Sequence, residues 1–163
     1  MIKKCNKYER YQKYFNLIIK PGGIIMYIKK VLEYVYNYAK YIVTDGRHDV
    51  KCICMSVPLP DGKVPKIGME ITAIYAFNFE GTIVKKVTKE KDMKYKIKKP
   101  FSNPLAYKLR GKVIDSSKSI VQVFDFKISL EYDYPDGMNE EFSNNDYVEF
   151  FASRLDCIIE NYY

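Results

Sequence analysis

Hydrophobic and polar residues alternate most regularly between Tyr107 and Leu130. Tyr107, Leu109, Gly111 and Val113 oppose Lys108, Arg110 and Lys112; further on, Ile120, Phe124, Phe126, Ile128 and Leu130 oppose Asp125, Lys127 and Ser129. A period of two is the pattern of strands buried on one side only. With the polar run from Asp115 to Ser119 between the two arms, the stretch predicts a β-hairpin around which the other strands are arranged.

The rest of the chain is read against that hairpin. From Met26 to Val43, Ile28, Val31, Leu32, Val35, Ala39 and Ile42 follow helical spacing. The same stretch is crowded with β-formers, Tyr34, Val35, Tyr36, Tyr38, Tyr41, Ile42 and Val43, which a helix accommodates at a cost in side-chain entropy. The favoured reading is a long strand over about Glu33 to Thr44, with room for a short helix before it. Thr44-Asp45-Gly46-Arg47 supplies a hairpin turn, and a second strand follows at about Val50 to Val57.

Three prolines between Pro58 and Pro65 mark a loop, because none can donate to a central ladder. Met69 to Phe79 is an apolar run of strand length, expected to be buried on both faces, and Ile83 to Val87 extends it past Gly81. Residues 88–104 open on a stretch suited to a helical turn. Tyr95 and Ile97 then alternate with Lys94, Lys96 and Lys98 in the manner of a lysine-guarded edge strand. An acidic turn over Tyr132 to Asn139 precedes a last strand from Tyr147 to Ile158, where Tyr147, Glu149 and Phe151 oppose Val148, Phe150 and Ala152.

About six short strands, with Gly81 and Gly111 at sites suited to bends, resemble a small OB-like barrel over roughly residues 33–159. The resemblance is one of architecture. No family motif is matched, so it transfers no functional residue. The predicted class is mainly β, a single-domain antiparallel OB-like barrel spanning 26–163. It implies a binding function more often than catalysis.

Composition changes that picture mainly through charge. The chain of 163 residues carries +7, and residues 1–25 alone hold six Lys/Arg against Glu9. This basic segment ends in Pro21-Gly22-Gly23 just before Met26. It is read either as an arm for phosphate or membrane contact or as the product of a mis-assigned start, the Lys/Asn/Ile/Tyr bias suiting an AT-rich bacterial genome. Beyond it, Lys85 to Lys99 has eight Lys against Glu90 and Asp92, whereas Glu131 to Tyr163 has nine acids against Arg154. The chain is polarised, not uniformly basic. The four cysteines, Cys5, Cys52, Cys54 and Cys157, are not read as a disulfide framework of the secreted kind, and no apolar run reaches the roughly 18–20 residues of a membrane helix. A cytoplasmic location without membrane contact is expected.

Several chemistries lack their residues. Cys52 and Cys54 share a strand face with neither CxxC nor HxxxH nearby, so buried small side chains are expected in preference to a metal or redox site. His48, beside Asp45 and Asp49 and four residues before Cys52, is expected to be solvated at its turn. The acidic run Asp133, Asp136, Glu140, Glu141, Asp146 lacks the alternating ligands of a calcium loop. No Walker, GxGxxG or GxSxG sequence occurs. No cofactor, metal or catalytic residue is therefore assigned.

The one candidate surface is Lys85, Lys86, Lys94, Tyr95, Lys96, Lys98 and Lys99, extended by Lys108, Arg110 and Lys112 if the hairpin lies alongside. Lysines interleaved with an aromatic can follow a phosphate backbone while a base stacks on the ring; the same pattern also guards a sheet edge against aggregation. The expectation is a non-enzymatic binding module whose partner is a protein or a second copy in a homodimer. Single-stranded nucleic acid is the alternative partner, and an enzyme with an unrecognised site is the third reading.

Overall fold

A computed structural model describes residues 25–35, 38–54, 65–100 and 103–159. Among them twelve strands form one sheet: β1 Met26–Val35, β2 Tyr38–Thr44, β3 Asp49–Cys54, β4 Glu70–Ile71, β5 Ala73–Phe77, β6 Val84–Lys86, β7 Lys96–Lys98, β8 Tyr107–Asp115, β9 Ile120–Val123, β10 Phe126–Ser129, β11 Tyr147–Ala152 and β12 Arg154–Ile158. The pairing path runs β4-β1-β2-β3-β12-β5-β10-β9-β8-β11-β6, with β7 added alongside β8. All neighbours are antiparallel except β10 with β5 and β12 with β3.

The fold is mainly β, as the alternation implies, but three expectations need correction. Among the described residues no helix occupies the stretch before Glu33: Met26–Val35 is β1, hydrogen-bonded to β2. Helical spacing and β-branched or aromatic composition conflict over this stretch, and the sheet neighbour decides in favour of composition. A closed barrel is not confirmed, because the path has two ends, β4 and β6. Strand 73–77 is also not buried on both faces; its burial alternates, with Ile74 and Ala76 inward and Tyr75 and Phe77 outward. The predicted strand at 50–57 appears as β3, and its end beyond Cys54 lies outside the described residues, as do the proline-rich loop and the basic segment up to residue 24.

The central hairpin is a three-stranded meander. β8 and β9 pair as expected, but Phe124 and Asp125 then turn the chain into β10. Val121 and Val123 face the core before the turn, Phe126 and Ile128 after it. An inserted two-residue turn preserves inward-facing residues on both sides while changing the parity of the pattern.

One core cluster unites the sheet. Its largest buried side chains include Tyr41, Phe126, Phe150, Leu109, Ile128 and Leu155. The acidic loop after Leu130 contributes Met138 and Phe142 to the same cluster, so it is anchored as well as charged. Each fully buried apolar side chain of this size stabilises the fold by about 1.5–3 kcal/mol. Only Thr72 separates β4 from β5, and only Ser153 separates β11 from β12. Each of these two segments therefore serves different neighbours along its length, which bends the sheet around its core.

Candidate binding surface

β7, β8, β11 and β6 lie side by side and place the predicted lysine-rich segment next to the cationic arm of β8. In β8 the inward positions are Tyr107, Leu109, Gly111 and Val113, so Lys108, Arg110 and Lys112 face outward. Directly opposed residues in a ladder share a face. Lys96 opposes Arg110, Arg110 opposes Glu149, and Glu149 opposes Lys85, giving a row across four strands. The next row holds Lys98, Lys108 and Phe151, and Lys112 stands opposite Tyr147.

Glu149 organises the face. Its carboxylate accepts from Arg110 Nη2 at 2.6 Å and Nε at 3.2 Å, and pairs with Lys108 Nζ at 3.0 Å. Burial pushes its carboxyl up, but the hydrogen bonds and charges of Arg110 and Lys108 outweigh that and hold it below the usual range. Arg110 also donates to the Asp92 backbone oxygen at 2.7 Å, which ties the turn before β7 onto β8. Lys86 pairs with Asp146 at 3.0 Å. Asp146 is held low, first by the Ser143 N–H and then by Lys86. The basic 85–99 segment and the acidic C-terminal segment thus meet within one chain.

Of the predicted residues, the structure brings Lys85, Lys96, Lys98, Lys108, Arg110 and Lys112 onto one face. Lys85, Lys96, Lys98 and Lys112 have no carboxylate partner among the described residues, and Lys85, Lys96 and Lys98 are exposed. Lys86 sits on the edge strand against Asp146, and Lys94 is exposed in the turn before β7. Lys99 leaves the face: its ammonium donates to the Pro104 carbonyl and stands 4.7 Å from the Tyr107 ring centroid. Burial, with the nearby charge of Lys51, lowers its pKa. Tyr95 packs between Phe124 and Tyr147, with centroids 5.7 and 5.9 Å away, so its ring already has partners on the surface.

Two contributors escaped the sequence reading. Phe151 is 39% exposed within the lysine row, and Glu149 binds the row together. The alternation of Tyr147, Glu149 and Phe151 was visible; which strand they would stand beside was not.

The other candidate chemistries resolve into structure. His48 is not simply solvated: its Nδ1 lies 3.1 Å from Asp45 Oδ2 and its ring stacks on Phe124 at 3.8 Å. Asp45 is buried and accepts from the N–H groups of Arg47, His48 and Asp125 at 2.8, 2.6 and 3.3 Å. Burial pushes its carboxyl up, yet these bonds prevail and hold it below the usual range. Asp45 thereby clasps the β2–β3 turn to the β9–β10 turn, where Phe124 takes an uncommon positive φ of 53°. Cys52, Cys54 and Cys157 are buried. The neighbouring Cys52 thiol and burial push Cys157 well up, although the Cys54 contact opposes this. Among the described residues, no group of His, Cys, Asp or Glu is arranged to hold a metal ion. No described helix is long and apolar enough to cross a membrane.

The fold and surface define a mainly β protein with a charge-patterned sheet face. No family model matches the chain, and no curated protein or solved structure shows significant similarity to it.

Proposed function

We propose that this protein is a non-enzymatic binding module that receives an acidic protein surface on the outer face of β6, β7, β8 and β11. The observation that carries this reading is the row Lys96, Arg110, Glu149, Lys85, flanked by Lys98 and Lys112. Glu149 fixes the two central cations, Arg110 and Lys108, while the outlying lysines keep their charge for a partner. A preorganised charged face confers specificity and faster encounter more than raw affinity.

The sheet bending at Thr72 and Ser153 supports a barrel-like enclosure behind this face. Buried Cys52 and Cys157 in thiol form suit a reducing compartment such as the cytoplasm. A second reading, single-stranded nucleic acid, draws on Phe151, whose partly exposed ring among lysines is suited to base stacking. Two features favour the protein partner over it: a carboxylate sits at the centre of the face, and Tyr95 is already packed.

The experiment is a parallel salt titration with a fluorescent acidic 20-residue peptide and an oligo-dT of 20 nucleotides. Binding of the peptide, weakened by salt and lost in the Lys96→Glu, Lys98→Glu double variant, is the expected result. Exclusive binding of the oligonucleotide, with the steep salt slope of phosphate contacts, selects the second reading. Binding of neither overturns both.

A further inference from the structure

A second surface, chemically opposite to the first, lies on the outer side of β5. Tyr75 and Phe77 alternate outward along that strand. Tyr132 comes over both, with ring centroids 5.4 Å from Tyr75 and 6.0 Å from Phe77, and Phe79 stands edge-on to Phe77 at 5.1 Å. Phe79 is 76% exposed, Tyr132 52%, and Ile83, four residues beyond Phe79, 72%. Isolated apolar side chains at a surface are ordinary, but a cluster containing several large exposed ones marks an interaction site.

Its flanking charge is acidic. Exposed Glu80 follows Phe79, and Glu131 and Asp133 flank Tyr132. Arg154 lies 4.2 Å from the Phe77 ring and is already paired with Asp156 at 2.7 Å, so it leaves these acids uncompensated. Two buried polar atoms here also lack partners among the described residues, Asp133 Oδ2 and Thr82 Oγ1. The Asp133 carboxyl lies over the turn that holds Phe79: its Oδ1 would be 3.6 Å from a β-carbon at Gly81. Asp133 as a whole is partly exposed, so its carboxylate adds to the acidic rim.

We infer that this surface docks a segment of a partner protein that presents a lysine or arginine among apolar side chains. The cation reaches Asp133, and the apolar residues cover Phe79, Ile83 and Tyr132. Aromatic side chains of this kind serve as anchors at protein interfaces. The site is independent of the cationic face: it requires the opposite charge in its partner and uses none of the same residues.

The test selects peptides from a random 16-residue phage library on the full chain, then measures their affinity by fluorescence anisotropy. Enriched peptides are expected to combine Arg or Lys with Leu, Ile or aromatics. Phe79→Ala should weaken them at least tenfold and Asp133→Asn about fivefold, while Lys96→Glu leaves them unchanged. Phe79 is largely exposed, so its variant is expected to retain the wild-type thermal midpoint, checked in the same preparation. The proposal is overturned if no such peptides are enriched, or if their binding survives Phe79→Ala. Acidic peptides sensitive only to Lys96→Glu would also overturn it, and would leave the cationic face standing. A wild-type dimer that Phe79→Ala converts to monomer in sedimentation would overturn it in favour of a second copy.

Discussion

Replacing Gly111 with alanine tests the central packing of the sheet. Gly111 is an inward position of β8 and faces β9 so closely that an added β-carbon would stand 2.7 Å from Val123 Cγ2 and 2.8 Å from Val121 Cγ1. It would stand closer still to the Gln122 carbonyl oxygen, where real β-carbons essentially never approach below 3.0 Å. The valines have little freedom to yield, since both are fully buried. Overpacking of this kind costs about 1–3 kcal/mol, and displacing the Gln122 carbonyl adds about 1 kcal/mol for a weakened ladder bond. Removing a glycine from a strand returns about 0.5–1 kcal/mol. The backbone clash places the expected net loss towards the upper end, about 3 kcal/mol. At this chain length that is about 6–12 °C in thermal midpoint. Urea unfolding followed by circular dichroism should show a lower midpoint with an unchanged slope. A loss below about 0.5 kcal/mol would refute the close approach of β9 to Gly111.

Three further outcomes follow from specific groups. Tyr41 is fully buried and its hydroxyl has no hydrogen-bond partner among the described residues; Tyr41→Phe should be neutral or stabilise by about 1 kcal/mol in the same assay. Asp45 has a folded pKa below its unfolded value, so its contribution is complete above about pH 5 and is lost progressively as pH falls through the folded pKa. The urea midpoint of Asp45→Asn should accordingly fall less between pH 6 and pH 3 than that of the wild type; parallel curves would exclude the clasp. Glu149→Gln leaves Arg110 and Lys108 without their carboxylate and should destabilise by about 2 kcal/mol. A double-mutant cycle with Arg110→Gln should return a favourable coupling, and a coupling of zero would show that the pair does not organise the face.

Period-two patterning made the inward residues of β8 and β11 legible, and Thr44-Asp45-Gly46-Arg47 announced the β2–β3 turn correctly. The lysine-guarded strand at Lys96–Lys98 was legible too, since few other arrangements leave three alternating lysines exposed. Phe124 hid the turn between β9 and β10: a phenylalanine at positive φ carries none of the Gly or Asn chemistry that marks turns in sequence. Long-range adjacency was the other missing part. Nothing local in Glu149 indicates that it will stand between Arg110 and Lys85. The outward placement of Tyr75 and Phe77 on β5 was not legible, because hydrophobic composition does not say which face of a sheet lacks a neighbour.

The position of β12 also bears on how the chain is synthesised. Residues 154–158 emerge from the ribosome after the eleven other strands of the described residues, yet they fill the gap between β3 and β5. Until then β3 and β5 each present an unpaired edge, the kind of surface that recruits other nascent chains. Late completion of a central strand makes the final docking step non-local and slow relative to the hairpins. A chaperone that shields those two edges during translation would therefore influence the yield of folded protein more than one acting on the finished sheet.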